Sequence, residues 1–563
     1  MCGIAAYIGP LEAASVLLVA LERLKYRGYD SAGIALLNGG KDLLVRKASG
    51  RLRHLQDLID HQAVSGSCGI AHTRWATHGA PTRENAHPHC DSEQEIAVVH
   101  NGIIENHEQL RTHLEAAGIL CTSQTDTEVI PHLIRQHYHG DPVQAIQAVL
   151  PLLEGSYAFA VIFADQPKRI IAVRKGSPLL LGRGDSTLML ASDIPALLPH
   201  AEEVCTLEDG QLVDLDHDQV QLYGADGLCE PVFNQIEIGV EAVSMGDYDS
   251  FMAKEIAEQP EVLTRLLESR LSQGRLVQPD YGVDLSSINH VVFLACGTSW
   301  HAALLGKRFL EHFARVHVEV DISSEYRYRN PVASGGTLVV PISQSGETAD
   351  TLASLRLARS MFMPVIALVN VMDSSIARES DGVMPLLAGP EIGVASTKAY
   401  TAQVLALYLF ALQLARAKGL LSEAVEASSL TAARELPEQC IQTLALCEEP
   451  VRTCAELLRA AHATVFLGRG GKHATAMEGA LKLKEIAYVH AMGYAAGEFK
   501  HGPIALVTDT LPVVCIVPRD HMYDKMLSNL EEVRARSGRV IAIGSHEDGG
   551  LEALSDHLLP VLP

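Results

Sequence analysis

A chain of 563 residues with 47% apolar and 20% charged residues has the balance of a folded protein, and at roughly 100–200 residues per domain it holds about three or four domains. Its formal net charge of −23, with no lysine- and arginine-rich block against it, excludes nonspecific attraction to nucleic acid or anionic lipid. It does not exclude a local anion site built from helix N-termini and loop amides.

The eleven cysteines are odd in number, scattered and free of any C-x-x-C pair, which is the usage of free thiols in a reducing compartment, so a cytoplasmic location is expected. Met1 is followed at once by Cys-Gly-Ile, without a basic region and apolar stretch behind it, so no secretory signal is read. The most apolar long run, "VLALYLFALQLA" at 404–415, is shorter than the roughly 18 residues of a membrane span and reads as a buried helix. No membrane and no nucleic-acid partner is expected.

Residues 1–240 carry short apolar and alternating runs such as "GIALL", "IAVVHNG" and "YAFAVIFA", separated by turn residues, with helices predicted near 11–24, 106–117 and 126–138. This is an α+β pattern. Cys2 stands out: once Met1 is removed it carries a thiol and a free α-amine on one residue, and an amine with a reference pKa of about 7.7–8 can act as base for that thiol. A small residue at a chain start is the plain alternative. "HLIRQHYHG" at 132–140 lacks a convincing ligand set, and no metal is assigned. The polar stretch "SMGDYDSFMAKEIAEQP" marks a boundary, with a linker placed at 241–260.

Two later stretches begin alike: "VVFLACGTSWHAALLGKRFLEHF" from 291 and "TVFLGRGGKHATAMEGALKLKEI" from 464. The likeness continues at a nearly constant offset of 173 to 175 residues, from Ser324 to Gly497 and from Val365 to Val540, which means one duplicated unit. Strands alternating with helices imply two α/β domains with parallel sheets, 261–430 and 440–563, and ligands at the carboxyl ends of the strands. The second copy ends before the counterpart of the long apolar helix of the first, and because a parallel sheet normally has both faces covered, this copy reads as C-terminally shortened. Cys440, Cys447 and Cys454 recur every seven residues, on one helical face but about 10 Å apart, a core pattern and not a metal site.

In "TLVVPISQSGETADTL" a strand ends in hydroxyls and a glycine before a helix. Ser343, Gln344, Ser345 and Thr348 can there join amide N–H groups and a positive helix end around one phosphate. The second copy has "VPRDHM" in that place and lacks the hydroxyls. Lys482 and Glu485 in "KLKE" are three apart, which on spacing alone is an exposed helix ion pair.

The motifs "MCGIAAYIG", "YRGYDSAGIA", "HTRWATHG", "NAHPH", "VVHNGIIEN" and "SQTDTEVI" resemble, in order, those of class II glutamine amidotransferase domains of the N-terminal-nucleophile type. "CGTS", "SQSGETADT", "EIGVASTKAYT", "ALKLKEIAYVHA" and "GEFKHGP" resemble the sugar isomerase (SIS) domains of the glutamine:fructose-6-phosphate aminotransferase family. The resemblance covers nearly the whole chain. It implies that Cys2 attacks the glutamine carboxamide, that Asn101 and Gly102 form the oxyanion hole, and that Arg27, Arg74, Trp75, Thr77, His78 and Asp126 surround the glutamine. Among these, Arg74 holds the α-carboxylate, Asp126 the α-ammonium, Trp75 resembles the gate of an ammonia channel, and Gly28 permits close packing beside the nucleophile.

For the second half it implies Ser299, Ser343, Gln344, Ser345, Thr348, Val394 and Ser396 around a sugar phosphate. Glu485 then moves a proton from C1 to C2, Lys482 stands beside it, and His501 opens the ring from a partner subunit, so a homodimer is expected. The implied substrates are L-glutamine and D-fructose 6-phosphate, with no metal and no redox cofactor. Two departures accompany the resemblance. Ser250-Phe251 stands where the family commonly carries a histidine, and a C-terminal tail whose lysine acts at the sugar is expected to be missing. Two further readings follow from the second: a glutaminase with impaired synthase activity, and a sugar-phosphate-binding regulator without turnover.

Overall fold

Alternation alone does not explain the first strand, Gly3–Ile8, because all of its residues are buried. It is hydrogen-bonded on both edges, antiparallel to Cys68–Arg74 and to Thr187–Ala191, so both of its faces meet packed layers. The computed structural model describes residues 2–38, 42–62, 64–198, 200–216, 219–236 and 239–562. It divides into Met1–Ser244 and Met245–Pro563.

Among the described residues, the first unit stacks an eight-stranded on a seven-stranded sheet. Ile4, Ala6 and Leu190 of the one interleave with Val99, Ala160 and Ile170 of the other. Helices Ala13–Arg23 and Leu52–His61 pack on the outer face of the first sheet. Helices His107–Ala116, Val129–His137 and Pro142–Val149 pack on that of the second. Four layers result, α on β on β on α, the α+β class read from the pattern.

The second unit holds two parallel five-stranded sheets. One is built from His290–Ala295, His317–Ile322, Thr337–Ser343, Ile366–Val369 and Gly382–Pro385. The other is built from Ala463–Gly468, His490–Ala495, Pro512–Val517, Arg539–Ser545 and His557–Val561. Both run in the order 2-1-3-4-5 counted within the copy, so the duplication read from the motifs is a duplication of topology. In this order the chain reverses direction between strands 1 and 3, which opens a crevice at their carboxyl ends.

The segment read as a linker is helical over Phe251–Ala257 and runs into Gln259–Arg270, which packs Val262 and Leu266 into the core of the first sheet. Its polar composition hid a structural role, because its key buried side chain is the carboxylate of Glu255. One face of the second sheet is packed by Ala476 and Ala480 of helix Gly471–Ala487 and by Cys454, Leu457 and Leu458. Those last three belong to a 37-residue helix, Glu423–Arg459, whose earlier residues Leu430 and Ala433 enter the core of the first copy. Cover comes from the element before the copy. The cysteine heptad lies on this helix as core packing: Cys440 borders the first core, the Cys447 thiol donates to the Pro560 carbonyl at 2.9 Å, and Cys454 is buried.

Phe410 of helix Lys398–Ala417 is fully buried, edge-on to Tyr281. Phe410→Ala should cost about 3–5 kcal/mol, read as a lower denaturation midpoint in the fluorescence of Trp300, which packs on the same core.

Candidate active site

Cys2 immediately precedes the doubly paired first strand, so its backbone is fixed by the sheet. The backbone N–H of Trp75 lies 3.3 Å from Cys2 Sγ, and the thiol faces the Trp75 carbonyl at 3.5 Å. Arg27 Nε and Asn101 Nδ2 both donate to the Cys2 carbonyl at 3.1 Å. Burial pushes the thiol pKa up, while the Trp75 amide, the α-amino group at the chain start, Arg74 and Arg27 act against that rise. Gly28 lies flat against the Arg74–Trp75 peptide: a Cβ there would stand 2.6 Å from the Arg74 carbonyl carbon. Gly102, with φ +125°, leaves no room for a Cβ, which would lie 2.0 Å from the Ser156 carbonyl oxygen.

Arg74 is buried, and its guanidinium donates to the carbonyls of His78, Gly79 and Ala80. It thereby shapes the loop that carries Thr77 and His78. Asp126 is buried and accepts from the Ile104 amide at 2.8 Å, two residues past Gly102 on the same strand. Trp75 is 41% exposed, with its ring edge-on to Tyr29 at 5.2 Å.

Sequence reasoning missed the layer behind these residues. His72, His87, His89 and His100 are buried together, with the rings of His72 and His87 stacked at 4.1 Å. Burial holds all four imidazoles below their usual pKa, His72 at about 3. His72 Nε2 faces Asn101 Oδ1 and the His100 carbonyl, each at 3.0 Å. Each histidine stands in an apolar run or beside proline, and nothing in its own neighbourhood announces the cluster.

In the second unit the phosphate candidates stand at the carboxyl ends of strands 1 and 3 of the first copy. Ser343 ends its strand, exchanges a hydrogen bond with Thr348 at 2.9 Å and accepts from the Gly346 amide at 3.0 Å. Gly346 has φ +65°, and a Cβ there would lie 1.9 Å from Ser374 Oγ. Thr348 is the residue before helix Ala349–Ser360, Ser345 Oγ accepts from the Glu347 amide, and the Gln344 carbonyl accepts from the Asn370 amide. Ser299, in the first turn of helix Gly297–Phe313, accepts from Gln403 Nε2 at 3.0 Å. In the second copy the matching loop is crossed by charge pairs, Arg519 with Asp548 and Lys472 with Asp520.

Lys482 and Glu485 do form the ion pair that their spacing allows, at 2.7 Å. The pair is not an isolated surface contact. Lys482 Nζ also donates to Thr298 Oγ1 at 3.0 Å, and Thr298 donates to Glu478, which is buried and paired with His301 at 2.6 Å. Burial alone would raise the Glu478 pKa; the His301 hydrogen bond and the Lys482 charge hold it below the usual range. Thr298, His301 and Glu478 were not singled out from the sequence, because their partners lie about 180 residues apart. Val394 and His501 are exposed, on their loop and in the turn after Glu498–Lys500, and no hydrogen bond or ion pair joins them to this network among the described residues.

The loop that carries Val394 and Ser396 is strapped from the former linker. Ser250 caps helix Phe251–Ala257 by accepting from the Ala253 amide at 3.2 Å. Glu255 accepts from the amides of Ile392 and Gly393 at 2.5 and 2.9 Å, and Lys398 donates to Glu258 at 2.6 Å.

A glutamine amidotransferase domain family matches residues 72–199, and the SIS domain family matches 284–413 and 457–562. Curated relatives include the glutamine–fructose-6-phosphate aminotransferases [isomerizing] of Symbiobacterium thermophilum, 47% identical over 97% of this chain and 91% of that protein, and of Clostridium acetobutylicum, 44% identical over 100% and 93%. Among solved structures, the C-terminal domain of glucosamine-fructose-6-phosphate aminotransferase from Francisella tularensis is 40% identical, covers 57% of this chain and 90% of that one, and superposes with a TM-score of 0.55. An amidotransferase unit followed by two SIS domains defines the class. The chain belongs to the glutamine–fructose-6-phosphate aminotransferase [isomerizing] family.

Burial lifts the Glu255 carboxyl to about 7, with Glu391 adding to the rise and the Gly393 and Ile392 amides and Lys398 opposing it. A folded pKa above the unfolded value of about 4.3 means the native state holds more protons in between, so this group's stabilisation is complete in acid and lost as pH rises toward 7. Glu255→Gln mimics the protonated form. Thermal melts should show the variant more stable than wild type at pH 8, by up to about 3 kcal/mol, with the difference vanishing near pH 4.

Proposed function

We propose that this chain converts L-glutamine and D-fructose 6-phosphate into L-glutamate and D-glucosamine 6-phosphate. The observation that carries the proposal is Cys2, set at the head of the first strand between the Trp75 amide and Asn101, in a chain so similar along its length to aminotransferases of that name. The reaction balances without oxidant or reductant. Water consumed in cleaving the glutamyl thioester is returned when the ketose carbonyl becomes an imine, and the proton lost from C1 reappears on C2. The relatives give no support to the readings of an impaired glutaminase or a silent regulator.

In the proposed mechanism Met1 is removed and the Cys2 α-amine takes the thiol proton. The thiolate attacks the glutamine amide carbon, and the developing oxyanion is met by Asn101 Nδ2 and the Gly102 N–H. The same amine returns its proton to departing ammonia, and water then releases glutamate. Arg27, Arg74, Trp75, Thr77, His78 and Asp126 form the glutamine pocket. Asp126 accepts from the amide of Ile104, two residues of strand beyond Gly102, a placement that supports its contact with the α-ammonium.

Ser343, Gln344, Ser345, Thr348 and Ser299 bind the phosphate and open-chain sugar, with Val394 and Ser396 across the crevice. The hydroxyls at one strand end and the charge-blocked loop of the second copy support placing the phosphate in the first copy. Glu485 moves the proton between C1 and C2, and Lys482 holds its carboxylate. His501 opens the ring in a second copy of the chain; its exposure supports that division of labour. The domains run 1–240, 241–260 as connector, 261–430 and 440–563, in a cytoplasmic homodimer that binds neither nucleic acid nor membrane and uses neither metal nor redox cofactor.

With both substrates in one tube, glutamate and glucosamine 6-phosphate should appear in equal amounts. Cys2→Ala should release no glutamate above background, and full activity in that variant would overturn the proposal. Glu485→Gln should keep glutamate release and lose amino sugar by about 10²- to 10⁴-fold, the range for removing a general acid–base group.

A further inference from the structure

The carboxamide of Asn101 is held at both ends, by His72 and by Ser192, neither of which belongs to the proposed catalytic or glutamine-binding set. Its Oδ1 lies 3.0 Å from His72 Nε2, and its Nδ2 donates to Ser192 Oγ at 2.8 Å and to the Cys2 carbonyl at 3.1 Å. Ser192 and His72 are both buried. Ser192 also accepts from the Ile4 amide at 2.8 Å, which ties Asn101 to the strand that delivers the nucleophile. On the other side, His72 Nε2 is shared between two oxygens, Asn101 Oδ1 and the His100 carbonyl, and neither can donate. The ring proton must therefore sit on Nε2.

That tautomer decides which way the carboxamide points. A half-turn of the amide would set an N–H against the N–H of His72 and an oxygen against the Cys2 carbonyl, two repulsions in a dry site where an unmade hydrogen bond costs most. With Oδ1 pinned to His72 and one amide proton pinned to Ser192, the other proton meets the Cys2 carbonyl and can turn to an oxyanion by a small pivot. We infer that His72, backed by Ser192, is a positioning residue that fixes Asn101 with its N–H toward the reacting carbonyl. The inference rests on the reading of Asn101 as an oxyanion donor.

The test compares His72→Leu, His72→Gln, Ser192→Ala and Asn101→Ala in the full chain, by glutamate release and by iodoacetamide alkylation of Cys2 followed as the modified peptide. Alkylation builds no oxyanion, so it reports the fold and the thiol but not the carboxamide. Removing a donor outright costs about 10²- to 10³-fold in turnover, and that is the loss expected for Asn101→Ala. His72→Leu should lose about 10- to 100-fold in kcat with KM for glutamine unchanged, less than outright removal because the carboxamide remains but points both ways. A glutamine side chain carries an N–H to a similar reach, so His72→Gln should recover to within about threefold of wild type.

Ser192→Ala should lose about five- to tenfold and carries the test where His72→Leu does not fold. Cys2 alkylation should stay within about twofold of wild type throughout. Full turnover in His72→Leu, failure of His72→Gln to recover, or alkylation falling in step with turnover would overturn the inference. Full turnover in Asn101→Ala would instead remove the oxyanion reading beneath it.

Discussion

One strand hydrogen-bonded on both edges fixes the amidotransferase site. The proposed nucleophile, Cys2, stands near the start of the chain, the place where chains fray most readily. Here the fraying is suppressed because Gly3–Ile8 pairs with Cys68–Arg74 on one side and Thr187–Ala191 on the other and is buried throughout. Each neighbour then contributes a working residue just past the paired register. Cys68–Arg74 runs into Trp75, whose amide meets the thiol, and Thr187–Ala191 runs into Ser192, which holds Asn101. The sheet aims these groups.

The second unit solves the same problem by topology. In a 2-1-3-4-5 parallel sheet, the loops after strands 1 and 3 diverge and leave amides and hydroxyls unclaimed by the sheet. Gly297–Ser299 and Ser343–Thr348 occupy those two places in the first copy. Both copies inherit the crevice, but a phosphate needs its positive and hydrogen-bonding groups free. The second copy commits Lys472 to Asp520 and Arg519 to Asp548 at its own crevice. What it supplies instead is a helix, Gly471–Ala487, whose Glu478 and Lys482 reach Thr298 and His301 of the first copy. Duplication followed by filling of one crevice thus joins two equivalent folds through one polar network.

Much of this was legible in the sequence, and the reason differs by level. The duplication and the strand-helix alternation are written in local composition, and the sheets follow. Ser343 to Thr348 could be picked out because a turn gathers near neighbours, whereas Asn101 and Gly102, inside a strand, were read only through the family resemblance. His72, Ser192, Glu478 and His301 could not, since their partners lie across a sheet or in the other copy. Within segment 241–260 the same holds: Glu255 reads as an exposed carboxylate until its two acceptor bonds to the amides of Ile392 and Gly393 are seen. Polar residues that satisfy backbone across long sequence separations leave no periodic signature. Apolar ones do.

The buried histidines bear on the electrostatics of the nucleophile. A thiolate forming in a buried site is helped by nearby positive charge, and Arg74 and Arg27 supply it on the Cys2 side. Four imidazoles buried together behind Asn101 could have supplied more, yet burial lowers the pKa of each. A neutral imidazole still donates through one nitrogen, so His72 can orient Asn101 without placing a full charge beside the developing oxyanion. A cation there would also favour the thiolate before substrate arrives and lower its nucleophilicity along with its pKa. In the proposed mechanism, orientation without charge keeps positive potential where Arg74 and Arg27 set it and leaves deprotonation to the α-amine.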